Sequence, residues 1–190
     1  MKKRICTLLL ALCLTLGLLP AAAQAAGDGS GTFDTVRWTL DADGGLTVSG
    51  TGDLPDSAFA GRTDIVTVTF TGQVARIGRS AFAGCTQLRR VDGFGAVTCV
   101  MSQAFAGCTA LTELAVPGTV TEIGTGAFSA CTGLTAVTLA PGVRSLGAYA
   151  FAACTALRRI DLPDGMTLLG SGLFSGCTAL TELPLPDDVA

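Results

Sequence analysis

Ile77-Gly78-Arg79-Ser80-Ala81-Phe82-Ala83-Gly84-Cys85-Thr86-Gln87-Leu88 is one copy of a motif that returns every 23 residues. Its phenylalanine recurs as Phe59, Phe82, Phe105, Phe128, Phe151 and Phe174, with no slip. From the second copy onward a cysteine follows three positions later, at Cys85, Cys108, Cys131, Cys154 and Cys177. An unbroken period of roughly 20–50 residues marks a solenoid, because one such unit cannot bury its apolar face alone and must stack on its neighbours. Function in such a chain is expected on a long exposed surface.

Within a copy the apolar spacing changes halfway. Ile77, Ala81, Cys85 and Leu88 lie four, four and three apart, which predicts a short helical turn with these residues on one side. Leu114-Ala115-Val116 and Ile160-Asp161-Leu162 alternate, as a strand does, and Pro117-Gly118 and Pro141-Gly142 then turn the chain. Each copy thus supplies one strand and one helical turn, and stacking builds a parallel sheet with a spacing of about 4.8 Å.

These copies resemble the BspA-like leucine-rich repeat family, whose unit reads roughly I-G-x-x-A-F-x-G-C-x-x-L-x-x-V-x-L-P. The resemblance covers about residues 55–190. It implies a repeat solenoid wound as a right-handed leucine-rich-repeat coil, with a parallel sheet of short strands on one face and short helical turns on the other. It also implies a secreted or cell-surface protein used for attachment and protein binding, with no enzymatic activity and no fixed ligand.

The N-terminal residues 1–25 read as a signal peptide. Lys2, Lys3 and Arg4 precede the apolar run Ile5–Leu19, Pro20 breaks it, and Ala23-Gln24-Ala25 offers small residues to a signal peptidase. The run is shorter than the roughly 17–25 residues of a membrane span, and no later segment is long enough, so no integral membrane segment is expected after cleavage. Residues 26–54 form an N-terminal cap and 55–190 a solenoid of about six repeats. In the cap, Val36–Leu40 and Leu46–Ser49 flank Asp41-Ala42-Asp43-Gly44-Gly45, a β-hairpin signal. Trp38 and Leu40 give the hairpin an apolar side that can shield the first open edge of the stack.

Loss of the leader removes three of the 12 cations and none of the 15 acids, which leaves a net charge of −6. The remainder has no lysine, and the whole chain has no histidine. An acidic chain without a basic stripe is a poor ligand for nucleic acid. Without histidine or lysine, Ser-His-Asp, Cys-His and Schiff-base chemistry lack their groups, so no catalytic residues are assigned. The six remaining cysteines form no C-x₂₋₄-C pair. No metal site and no cofactor are expected, and five cysteines are read as small buried hydrophobes.

The outward positions of the strand carry the candidate site. Thr67, Arg90, Glu113, Ala136, Arg159 and Glu182 form one column, and Thr69, Asp92, Ala115, Thr138, Asp161 and Pro184 the next. Arg89-Arg90-Val91-Asp92 and Arg158-Arg159-Ile160-Asp161 repeat one charge figure three rungs, or about 14 Å, apart. The plain reading is a soluble sheet face whose charges pair across rungs, with Arg90 beside Glu113. The functional reading is a surface of Arg89, Arg90, Asp92, Glu113, Arg158, Arg159 and Asp161 that engages a protein or glycan partner, presented by a monomer. Two alternatives stay open: a carbohydrate-active enzyme or glycan-binding module using Asp92 and Glu113, and a structural spacer of a larger surface protein.

One coil departs from the pattern. Gly93 stands where other copies have Phe70, Val116, Leu139 and Leu162, and Met101 and Cys99 are also atypical. The sequence predicts a gap at Gly93 that Phe94 fills. At the other end, Pro184 inside a strand position and the Asp187-Asp188 pair suit an edge, so the stack is expected to finish near residue 190.

Overall fold

A computed structural model describes residues 29–181 and residue 183. The predicted leader, Glu182, and the proposed edge at Pro184 and Asp187-Asp188 lie outside the described residues.

The chain opens with β1 (Ser30–Phe33), β2 (Val36–Leu40) and β3 (Gly45–Leu54). β1–β2 and β2–β3 are antiparallel, so the expected hairpin is present and carries one extra strand. Asp41 closes its turn: the side-chain oxygen Oδ1 accepts the backbone N–H of Asp43 at 2.9 Å and of Gly45 at 2.7 Å. β3 also begins the solenoid, because its two halves pair in parallel with the first strands of the first coil.

Each coil then contributes two strands. They are β4 (Thr67–Phe70) and β5 (Gln73–Ile77); β6 (Arg90–Val91) and β7 (Cys99–Val100); β8 (Glu113–Val116) and β9 (Glu122–Ile123); β10 (Ala136–Leu139) and β11 (Ser145–Leu146); and β12 (Arg159–Asp161) and β13 (Leu168–Leu169). From β4 onward the even-numbered strands are the parallel strands expected from the alternation, in two sections, β4-β6 and β8-β10-β12. The odd-numbered strands form a second parallel ladder, β3-β5-β7-β9-β11-β13, which the sequence reading did not anticipate. Most of its members are only two residues long, too short for an alternation to show.

The third side of the coil corrects another expectation: no described residue is helical. Each predicted helical turn is a staircase of β-turns. Ala81 N–H reaches Gly78 O, Ala83 N–H reaches Ser80 O and Cys85 N–H reaches Phe82 O, all three residues back. Two residues per coil hold left-handed backbone, Ser80 at φ 52° and Gly84 at 72° in the second copy, which prevents an α-helix. The N–H groups that a helix would turn inward serve the next coil instead: Ser80, Phe82 and Gly84 donate to the carbonyls of Ser102, Ala104 and Ala106. The same three bonds recur 23 residues on, from Gln103, Phe105 and Gly107 to Thr125, Ala127 and Ser129. A four-four-three spacing of apolar residues suits this staircase as well as it suits a helix, so the spacing alone did not separate them.

The core is the column set read from the period. The six phenylalanine rings stack coil on coil, with centroids 5.0 Å apart for Phe82–Phe105, 5.2 Å for Phe105–Phe128 and 5.5 Å for Phe128–Phe151. Beside them each buried cysteine donates its thiol to the phenylalanine carbonyl of the preceding coil, as Cys131 does to Phe105 O at 3.2 Å. All six described cysteines are free thiols. In the first coil Arg62 takes the cysteine position. Its guanidinium lies 5.5 Å from the Trp38 ring centroid, and its Nε donates to Asp64 Oδ1 at 2.9 Å. That bond is the main reason Asp64 is held below the usual carboxylate range. Trp38 therefore joins cap to solenoid, packed edge-on to Phe59 with ring centroids 5.5 Å apart.

Candidate interaction surface

The even-numbered strands present their outward residues in register. Thr67 lies opposite Arg90, Glu113 opposite Ala136, and Ala136 opposite Arg159. One column inward, Ala115 lies opposite Thr138, and Thr138 opposite Asp161. Alternation sends Val91, Leu114, Val137 and Ile160 into the core and leaves these positions to solvent.

Both charge figures of the sequence pair an arginine with the aspartate two residues on. Arg159 Nε donates to Asp161 Oδ1 at 3.0 Å while its Nη2 lies 3.0 Å from Oδ2, a forked contact along one strand. Arg90 pairs with Asp92 through a single contact, Nε to Oδ1 at 2.5 Å. Both arginines are well exposed, Arg90 at 68% and Arg159 at 75%, so neither pair adds much stability. Arg90 thus turns to Asp92, just past the end of β6, which corrects the expected Arg90–Glu113 pairing across rungs. β6 and β8 are not paired, so Glu113 is not held in register beside Arg90, whereas Asp92 follows two residues on. Arg89 and Arg158 are exposed just before β6 and β12, where their backbone N–H groups donate to Val66 O and Thr135 O of the preceding coil.

Asp92 and Glu113 do share a site. With Arg90, Ala115, Ala136 and Thr138 they line an open depression of about 260 Å³. Two alanines form part of the lining and no aromatic ring enters it. The Arg90 guanidinium pairs with Asp92 at the edge of this depression. The depression can accept polar groups from a partner and offers both an exposed cation and a carboxylate.

Its position follows from the irregular coil. Gly93 has φ 134°, and Phe94 is buried and stacked on Phe70 at 6.3 Å, so Phe94 fills the gap as the sequence predicted. β6 is cut to two residues, and the sheet divides between β6 and β8. The depression lies at this division.

Burial disfavours the thiolate form throughout the cysteine column. Burial pushes Cys85 and Cys131 up to about 12, and Cys108 and Cys154 upward as well. Cys99 stands apart on β7: it is half-buried, its Sγ is 3.5 Å from Met101 Sδ, and burial followed by Glu122 raises its pKa. Among the described residues no group of three or more Cys, Asp or Glu side chains is placed to hold a metal ion. No helix of the described residues is long and apolar enough to cross a membrane.

A family model described as the BspA type leucine rich repeat region matches residues 52–181 in six copies. A leucine-rich repeat protein from Bacteroides ovatus superposes with a TM-score of 0.67 at 26% identity, over 84% of this chain and 48% of its own. The T. pallidum leucine rich repeat protein superposes with a TM-score of 0.54 at 25% identity, over 80% of this chain and 91% of its own. The chain therefore spans about half of the B. ovatus protein. No curated protein matches it.

Proposed function

Because the chain belongs to the BspA-type leucine-rich repeat family, we propose that it is a secreted or surface-exposed, non-enzymatic binding or adhesion module. Its working surface is the outward face of the even-numbered strands, and its partner is a protein or glycan. The observation that carries this reading is the repeated exposed Arg–Asp pair, at Arg90–Asp92 lining the depression and at Arg159–Asp161 farther along the same face. Each pair costs little to open because it is exposed, so a partner carboxylate or hydroxyl can take over the guanidinium. Arg89 and Arg158 extend both ends of the patch.

Capture of surface proteins and glycans by the full chain, compared with the Arg90→Glu/Arg159→Glu variant, tests the proposal. Ligands retained by the first and released by the second support it. Equal retention, or no retained ligand, counts against this face.

The second reading, a spacer within a larger surface protein, is favoured by the chain spanning 48% of the B. ovatus protein. A spacer would bind nothing by itself and would keep its stack rigid under the same substitutions.

A further inference from the structure

The strand face leaves one exposed aromatic residue on another side of the coil. Tyr149 is the only tyrosine in the chain, and it is 51% exposed on the turn side. It has φ 58°, in the column that holds Ser57, Ser80 and Gln103 in earlier coils and Gly126 and Gly172 in the flanking ones. Left-handed backbone is unusual for a bulky residue, and the lateral hydrogen bond from Tyr149 N–H to Ser171 O, 2.9 Å long, fixes it there. The ring rests against Gly172. A Cβ added at that glycine would stand 2.3 Å from ring atom Cε1 and 2.7 Å from Cδ1. At the equivalent positions the two flanking coils carry glycine and so no side chain.

The surroundings are neutral. Residues 124–134, 147–157 and 170–180, the turn segments of these three coils, contain no Asp, Glu, Lys or Arg, whereas the first two coils carry Asp56, Arg62, Asp64 and Arg79 there. Thr125, Ser171 and Ser175 are exposed on the same side and Ser129 is half-buried. An exposed aromatic ring on a side that carries hydroxyls and small side chains, without charge, suits the C–H face of a pyranose. It gives an anion or a nucleic acid no cation to bind. The turn ladder holds the platform, so little ordering is needed on binding. We propose that the turn side of the last three coils, centred on Tyr149, is a binding platform for neutral oligosaccharides, separate from the Arg–Asp strand face.

A single tyrosine allows a direct test. Protein labelled with ¹³C-tyrosine gives ring signals from Tyr149 alone, to be titrated with cellohexaose, xylohexaose and N-acetylchitohexaose. The proposal expects a saturable shift with at least one of them. It expects Tyr149→Ser to weaken that sugar by at least about tenfold, Tyr149→Phe to stay within about threefold, and Arg159→Glu to change nothing. Serine already occupies this column at Ser57 and Ser80, so the Tyr149→Ser chain should fold. No saturable shift with any of the three sugars overturns the proposal. So does unchanged affinity in Tyr149→Ser. A Tyr149 signal that depends on protein concentration and not on sugar would assign the face to contact between copies of the chain, which also overturns it.

Discussion

The coil around Phe128 and the coil through Gly93 share one period and differ on one side only. In the first, β10 is paired on both flanks, by β8 and by β12, and Phe128 stacks between Phe105 and Phe151 with interplanar angles of 1° and 6°. In the second, β6 pairs only with β4, and Phe94 leaves the repeat pattern to meet Phe70. Yet the turn ladder runs through the irregular coil without a break, and β7 is paired on both flanks, by β5 and β9. Each side of the solenoid has its own ladder. One side can be interrupted while the others keep the coil in place, and here the interruption opens a depression in the polar face.

The largest predicted effect concerns what the regular coils share, the buried thiols. Cys85 and Cys131 have folded-state pKa values near 12, and an unfolded thiol ionises near 8.5–9. A raised folded pKa means that the stabilisation is complete below about pH 8.5 and is lost as pH rises towards 12. Each such thiol costs about 1.4 kcal/mol per pH unit in that window. With Cys85, Cys108, Cys131 and Cys154 all fully buried, the total by about pH 11 approaches the ~5–15 kcal/mol that holds a typical domain together. Circular dichroism against pH should therefore show alkaline unfolding. Replacing Cys108, Cys131 and Cys154 by alanine should move the midpoint to higher pH, and an unmoved midpoint would refute the role of the thiols. Cys99, half-buried and outside the column, should alkylate fastest in the native protein.

Next in size is the aromatic spine. Phe128→Ala should cost about 3–5 kcal/mol in urea denaturation. Because Phe105 and Phe151 both rest on that ring, hydrogen exchange should accelerate in all three coils. Phe94→Ala should fall near the lower end of this range, about 3 kcal/mol, with exchange changing only around Phe70. Equal spread of the two effects would mean that the irregular coil is as tightly coupled as the regular one.

Gly93 offers a test of sign. Column logic says that Gly93→Val restores the residue type of Val116 and should stabilise. The structure says the reverse: φ is 134°, which valine rarely adopts, and Phe94 already occupies the inward place. Destabilisation by about 1 kcal/mol or more is expected, and a gain in stability would show that the coil can revert to the regular form.

These contrasts also mark what a sequence exposes. Period, spine, thiol column and outward strand residues were legible because each is a recurrent position, and recurrence survives without knowledge of backbone angles; the hairpin was legible from its Asp-Gly turn residues. The staircase of turns was not, because left-handed residues at Ser80 or Tyr149 carry no compositional mark as glycine does. The second ladder lies in two-residue strands, and β1 (Ser-Gly-Thr-Phe) lacks an apolar alternation. Within the candidate site the positions of Arg90, Asp92, Glu113 and Arg159 were readable, but the choice of partner was not. By sequence columns both Asp92 and Glu113 were within reach of Arg90; the break between β6 and β8 and the side-chain geometry select Asp92.

The smallest expected effect on stability is at the polar face. Charge reversal at Arg158 and Arg159 should change unfolding free energy by no more than about 0.5 kcal/mol, since both are exposed and the Arg159–Asp161 pair is solvated. The same reversal should weaken capture of any partner that uses this face. Arg144 supplies the control: it lies outside the even-numbered strands, and its Nη1 donates to Gly165 O at 3.2 Å. Arg144→Glu adds the same net charge change per site without touching the Arg–Asp face. Lost capture with Arg158→Glu/Arg159→Glu and full capture with Arg144→Glu places recognition on the strands. If binding scales with charge wherever the reversal is made, long-range electrostatics explains it and the face has no special role. Raising the salt separates the two further, because a Debye length of about 8 Å at physiological ionic strength screens the distant charge before it screens a forked contact.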